Sequence, residues 1–205
     1  MKFIRWLFIP PVLCFYCASA QQHSQDKKPA DQNVAVQSSR TSRDSFMIEH
    51  NRMIEKKKRD ALGTNFKEFN GIMDGRSFSN IQLSGRTVFM NFWFASCTPC
   101  IAEFPYLNEL NEKLKDSADF ELVSFSFVSP EKILEIKSKY NLKFKVIHIS
   151  QDECYRLNGG LGFPTNVVTD KNGIIKYIGP TEEDRILKSK DYILTKIHAL
   201  ILENL

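Results

Sequence analysis

The chain has 205 residues, 42% of them hydrophobic, and a formal net charge of +4. This describes a globular chain long enough for one domain with extensions. Its one dense basic run, Lys56-Lys57-Lys58-Arg59, reads as a solvated helix face, so no nucleic acid is expected as a partner.

Residues 1–20 read as an export signal. Lys2 and Arg5 supply the positive start, residues 7–17 are mostly apolar, and Ala18-Ser19-Ala20 fits a cleavage site, with cleavage after Ala20 favoured. An uncleaved membrane anchor is the alternative, although the run is short for a span and is broken by Pro10-Pro11. A lipid anchor on Cys17 is a further one, poorly served by the bulky Phe15 and Tyr16 before it. Export would place the chain in the periplasm or cell envelope, where disulfides form and persist. Cys14 and Cys17 also have C-x-x-C spacing, but they lie inside the signal. Residues 21–43 are polar and expected to be a flexible tether. Met47, Ile48 and Ile54 among charges suggest a short amphipathic helix within 44–59, so 21–62 is read as a tether and 63–205 as the folded domain.

Within that domain, Asp74-Gly75 is a turn signal between two short strand candidates, 69–73 and 77–78. Residues 87–94 are almost wholly apolar, as expected of a central strand covered on both faces. Pro99 suits the first turn of a helix. Ile101, Phe104, Leu107, Leu110 and Leu114 follow at helical spacing, with Pro105 expected to kink the axis. A strand over 120–128, a helix from Ser129-Pro130-Glu131 with Asn141 as its stop, and a strand over 144–149 come next. A short helix over 152–157 leads into the glycine-rich loop Gly159-Gly160-Leu161-Gly162. Strands at 165–169 and 174–178 flank Asp170-Lys171-Asn172-Gly173 as a hairpin. Ile193, Ile197, Leu200 and Ile201 mark the apolar stripe of a last helix. From Thr87 the order β-α-β-α-β-(α)-β-β-α predicts an α/β fold, one mixed sheet with helices on both faces.

The chemistry-bearing stretch is Cys97-Thr98-Pro99-Cys100, where an apolar strand hands over to a helix. A thiol there meets the positive end of the helix dipole, which favours its thiolate. Two intervening residues let the second sulfur close a small ring, which suits a reversible dithiol–disulfide couple. A half zinc site lacks its second pair, and covalent haem attachment would need His where Ile101 stands. A plain structural disulfide stays open as an alternative.

The run Asn91-Phe92-Trp93-Phe94-Ala95-Ser96-Cys97-Thr98-Pro99-Cys100-Ile101-Ala102-Glu103-Phe104-Pro105 resembles the active-site segment of TlpA/ResA-type thioredoxin-like proteins. Gly162-Phe163-Pro164-Thr165, followed by Asp170-Lys171-Asn172-Gly173, is similar to the second half of their signature. The likeness covers roughly residues 63–205. It implies a thioredoxin-like fold, here with an N-terminal hairpin extension, and an exported protein thiol–disulfide oxidoreductase. Such a protein exchanges electrons with a substrate protein's disulfide and needs no organic cofactor or metal. Carried over residue by residue, Cys97 becomes the exposed nucleophile, Cys100 the buried resolving thiol and Pro164 a cis-proline beside them.

There are two departures from the pattern. Ser96 stands where this fold usually has Trp, which removes an apolar platform and bears on partner choice. Asn91 stands where thioredoxins proper carry a buried Asp, which leaves Glu103, one turn beyond Cys100, as the candidate for proton handling. With no His between the cysteines the expected role is that of a reductant, recharged by an upstream membrane electron donor. The rival readings are a copper- or haem-handling binding module using the same cysteines, and a thiol peroxidase on the same fold. Cys154 has no obvious partner and reads as a buried inert thiol.

Overall fold

The structure, a computed structural model, describes residues 30–180, 184 and 187–205, with side chains from residue 44 onward. The export signal, its cleavage site and the start of the tether lie outside the described residues. Helix α1 (Ala30–Ala61) is longer than the short helix expected from residue 44. The chain divides into two units, one ending at Arg43 and the other running from Asp44 to Leu205.

The second unit begins earlier than the expected residue 63. Ile54 and Lys58, one turn apart on α1, are both buried. The Lys58 ammonium is satisfied by the Glu55 carboxylate and by the backbone carbonyl of Pro180, which is what lets a residue of a basic run sit inside. No long apolar helix able to cross a membrane occurs among the described residues.

One seven-stranded sheet organises the unit. Strands β1 (Asn70–Met73) and β2 (Arg76–Ser79) form the hairpin, with Asp74 and Gly75 both at positive φ, 49° and 79°. That two-residue turn matches the twist of the strands. Strand β3 (Thr87–Phe92) is buried along its whole length. Then come α2 (Thr98–Leu114), β4 (Phe120–Ser126), α3 (Pro130–Lys139), β5 (Lys145–His148), α4 (Gln151–Leu157), β6 (Thr165–Thr169) and β7 (Ile175–Gly179). The chain ends in α5 (Ser189–Asp191), a π-helical stretch (Tyr192–Ile197) and α6 (His198–Glu203).

The strand order is β2-β1-β5-β4-β3-β6-β7. Strands β3, β4 and β5 run parallel, and β6 lies antiparallel to β3 on the other side. The hairpin attaches to β5 at Ile72 opposite His148.

Helices cover both faces, as expected. One face carries Phe89, Trp93, Leu122, Val146 and Val168 under α2, α3 and the C-terminal helical stretch. The other carries Met90, Phe92, Val123, Phe125 and Val167 under α4 and the hairpin's Phe69 and Phe78. The strand period of two sorts β3 between these cores: Phe89, Asn91 and Trp93 point to one, Val88, Met90 and Phe92 to the other. Asn91 is thereby pushed, fully buried, into the face that α2 covers.

Candidate active site

Beyond Phe92 the chain leaves the sheet with one more ladder bond, from the Trp93 N–H to the Phe125 carbonyl at 3.1 Å. It turns at Phe94, whose carbonyl accepts from the Cys97 N–H, and enters α2 with Cys97 as N-cap. The Cys97 sulfur accepts from the Cys100 N–H at 3.3 Å, and Pro99 occupies the first turn, where no N–H is needed. Cys97 and Cys100 are joined in a disulfide, Cα to Cα 5.3 Å.

One expectation is corrected here. Cys97 is not exposed in this disulfide form but 5% accessible, and Cys100 is fully buried. Bonded to Cys100, the Cys97 sulfur folds back over the first helical turn instead of pointing outward. Ser96, Thr98 and Pro99 around it are exposed.

Pro164 is cis after Phe163 and half-buried. Its loop is tied down at Gly162, whose carbonyl accepts from Thr165 Oγ1 at 2.7 Å and Asn158 Nδ2 at 3.1 Å. Phe94, Phe127 and Phe163 form a half-buried aromatic cluster, with centroid separations of 5.1 Å (Phe94–Phe163) and 5.8 Å (Phe94–Phe127). Tyr155 packs edge-on against Phe163 at 5.5 Å.

Glu103 lies one turn after Cys100 on α2 and is 4% exposed. It is not a surface helix glutamate. Asn91 Nδ2 donates to its Oε2 at 3.1 Å, and Asn166 Nδ2 to both oxygens at 3.3 and 3.2 Å. Burial pushes the carboxyl up to about 7, against the two amides, which favour its charged form. Trp93 and Phe104 pack edge to face at 5.3 Å, and the Trp93 indole N–H donates to Ser124 Oγ at 3.1 Å.

Asn166 is the residue that the sequence reading missed. It stands opposite Asn91 in the β3–β6 ladder, and Asn91 Nδ2 donates to its Oδ1 at 2.7 Å. The available signal was a lone amide inside Thr165-Asn166-Val167-Val168-Thr169, a strand buried throughout. Cys154 is fully buried on α4, and burial pushes its thiol up to about 12, as suits an inert thiol.

Sequence and structure comparisons extend this picture. Residues 57–193, well over half of the chain, match the Redoxin family model. A protein named thiol-disulfide oxidoreductase ResA from Bacillus thuringiensis is 32% identical over 104 residues, 49% of this chain and 58% of that protein. The ResA protein of Geobacillus thermodenitrificans is 31% identical over 107 residues, 52% of this chain and 61% of that one. The chain therefore spans less than two thirds of the length of these relatives.

Among solved structures, the thioredoxin domain of a thiol-disulfide oxidoreductase from Bacteroides vulgatus superimposes with a TM-score of 0.58 at 23% identity. It covers 69% of this chain and 98% of that domain. A thiol-disulfide oxidoreductase from Bacteroides fragilis gives 0.56 at 19% identity, covering 67% and 99%. The fold is thioredoxin-like.

Proposed function

The chain belongs to the Redoxin family, and from that premise we propose that it is a TlpA/ResA-type thiol–disulfide oxidoreductase acting on a partner protein's disulfide. The observation that carries this reading is the Cys97–Cys100 disulfide at the start of α2, with a buried carboxyl group one turn further along the same helix.

In the reduced protein the Cys97 thiolate attacks one sulfur of the partner's disulfide. A Cys97–partner bond forms, and the partner's other sulfur leaves as a thiolate. Cys100 gives its proton to the Glu103 carboxylate and attacks the Cys97 sulfur. The partner leaves with both sulfurs reduced, and the Cys97–Cys100 disulfide closes. A carboxyl titrating near 7 suits the task, because both its charge states are populated where the reaction runs. We assign the substrate strand to the Pro164 loop, where Phe163 packs against Phe94 and Phe127.

The working direction is that of a reductant outside the cytoplasm, in the periplasm or cell envelope. An upstream membrane protein restores the dithiol, and the chain's own N-terminus serves as signal or tether. The residue pattern from Lys2 to Ala20 supports export, and the names of the ResA relatives support the chemistry.

The test is Cys100→Ser. Without a resolving thiol, the mixed disulfide on Cys97 should accumulate and its partner be recoverable by reduction. A Cys100→Ser protein that forms no mixed disulfide with any partner or model disulfide would remove the assignment.

A further inference from the structure

Asn166 does more than touch Glu103. Its Nδ2 also donates to the Tyr192 hydroxyl at 3.3 Å, and that hydroxyl lies 3.0 Å from the Tyr177 hydroxyl. Tyr177 donates to the Asp184 carboxylate, which is paired with the Lys196 ammonium. Asn91, Glu103, Asn166, Tyr177, Asp184 and Tyr192 are all buried. The Lys196 side chain, 39% exposed, brings the chain of contacts to solvent.

Donor and acceptor counts give this chain a direction. Lys196 only donates and ionised Asp184 only accepts. Tyr177 has a single O–H, which goes to Asp184, so its oxygen accepts from Tyr192. Tyr192 then has no hydrogen left for Asn166 and must accept from it. The Asn166 amide is thus held with its NH₂ toward Tyr192 and Glu103 and its oxygen toward Asn91.

Two observations point to a built arrangement. Gly179 stands opposite Asn166 in the β6–β7 ladder, and a Cβ there would come within 1.9 Å of the Tyr177 hydroxyl oxygen. The absent side chain makes room for that hydroxyl. Asn91 Oδ1, although buried, has no hydrogen-bond partner among the described residues. Turning both amides over would give it the Asn166 N–H, but would leave the Asn91 NH₂ without a partner and aim both amide oxygens at Glu103, an arrangement that fits only the protonated acid.

We propose that Tyr192 and Tyr177 are positioning residues which, anchored on the Asp184–Lys196 pair, lock the Asn166 amide in its donating orientation and so keep the Glu103 carboxyl group ready to receive a proton. With the chain cut, Asn166 can turn its oxygen to Glu103, which favours the protonated acid. The titratable side chain placed against Glu103 is Tyr192 on the π-helical stretch, with Tyr177 on β7 and then Asp184 and Lys196 beyond it, while Cys97 and Cys100 are locked in their disulfide and do not titrate. Strands β3 and β6 bring it the Asn91 and Asn166 amides and carry no titratable side chain, and the one on β4, Glu121, is paired with Arg86 and Lys145. Burial holds both tyrosines far above the usual phenol range, so neither changes charge in the test. The consequence for thiol chemistry rests on the function proposed above. The amide orientation does not.

The test uses the whole chain in its disulfide form, with ¹³C-labelled glutamate carboxyls followed by NMR against pH. In Tyr177→Phe, which touches neither Glu103 nor Asn166, and in Tyr192→Phe, the Glu103 titration should move up by about one pH unit, the worth of one hydrogen bond to a charged group. In the unaltered protein, a nuclear Overhauser contact should link an Asn166 side-chain amide proton to the Tyr192 ring. That measurement stands even if neither variant folds, and its absence overturns the proposal. So does a Glu103 titration unmoved in a folded variant. A titration that moves while the pH profile of mixed-disulfide resolution stays put supports the positioning chain and rejects Glu103 as the proton acceptor.

Discussion

A carboxyl group nearly without solvent makes Glu103 the residue on which pH should act. Its titration lies near 7 in the fold, against an unfolded value of 4.5. Between those values the unfolded chain sheds a proton that the native protein keeps, so stability falls as pH rises. Stability from this group is complete below 4.5 and is lost by the time pH passes 7, a change of about 3 kcal/mol. Glu103→Gln keeps the shape and removes the titration. Urea unfolding of the oxidised proteins at about pH 4 and about pH 8, on either side of that window, should show the wild type losing about that much more than the variant. Equal losses would mean that the carboxyl is better solvated than its 4% exposure indicates.

The same substitution should alter the reduced protein. An ionised carboxylate near the sulfurs disfavours a second negative charge. Glu103→Gln should therefore lower the Cys97 thiol pKa, read from alkylation rates across pH. It should also slow resolution of a preformed mixed disulfide by about 10²-fold or more. Unchanged profiles in both would return Glu103 to a purely structural role.

At the scale of elements, the sheet depends on how closely the hairpin approaches it. Gly71 on β1 leaves no space for a side chain. A Cβ would lie 2.4 Å from Ile147 Cγ2, 2.9 Å from the His148 carbonyl oxygen and 2.9 Å from Ile149 Cγ2. Backbone is among these atoms, so the strand itself would have to move. Gly71→Ala should cost about 1–3 kcal/mol, measured by denaturant unfolding, and should loosen the hairpin from β5. Asn91, in the middle of β3, is tolerated there because α2 brings Glu103 and β6 brings Asn166 to meet its amide N–H groups. Helix α2 also runs on through Pro105, which the sequence pattern marks as an interruption.

For the whole molecule, two outcomes are expected. The first is a reduction potential toward the reducing end of its fold, below about −200 mV. No cation stands between the cysteines, and a buried acid one turn away does not favour a thiolate, so the reduced form gains little. Equilibration with glutathione measures this, and a value near about −120 mV, that of the strong oxidant DsbA, would reverse the direction of electron flow. The second concerns where the domain begins. A chain starting at Asp44 retains Ile54 and Lys58, and one starting at Gly63 loses both. The shorter chain should be less stable by about 2 kcal/mol or more, from the lost burial of Ile54 alone.

What the sequence determined by itself was local. Hydrophobic period placed β3, α2, β4, α3 and the β6–β7 hairpin, because strand and helix patterns depend only on near neighbours. Cys97 and Cys100 stood out because their spacing and the strand-to-helix junction are also local facts. The resemblance singled out Glu103 and, far along the chain from it, Pro164. Tertiary structure decided the rest. It put Asn166 against Asn91 and Glu103, since that contact follows from the antiparallel register of β6 on β3 and not from any spacing along the chain. It buried Lys58 by offering a carbonyl 122 residues away. It covered Cys97, and it gathered Phe94, Phe127 and Phe163 from three separate segments into one aromatic cluster. The environment of a polar group is set by whatever the fold brings to it, and those partners are distant in sequence.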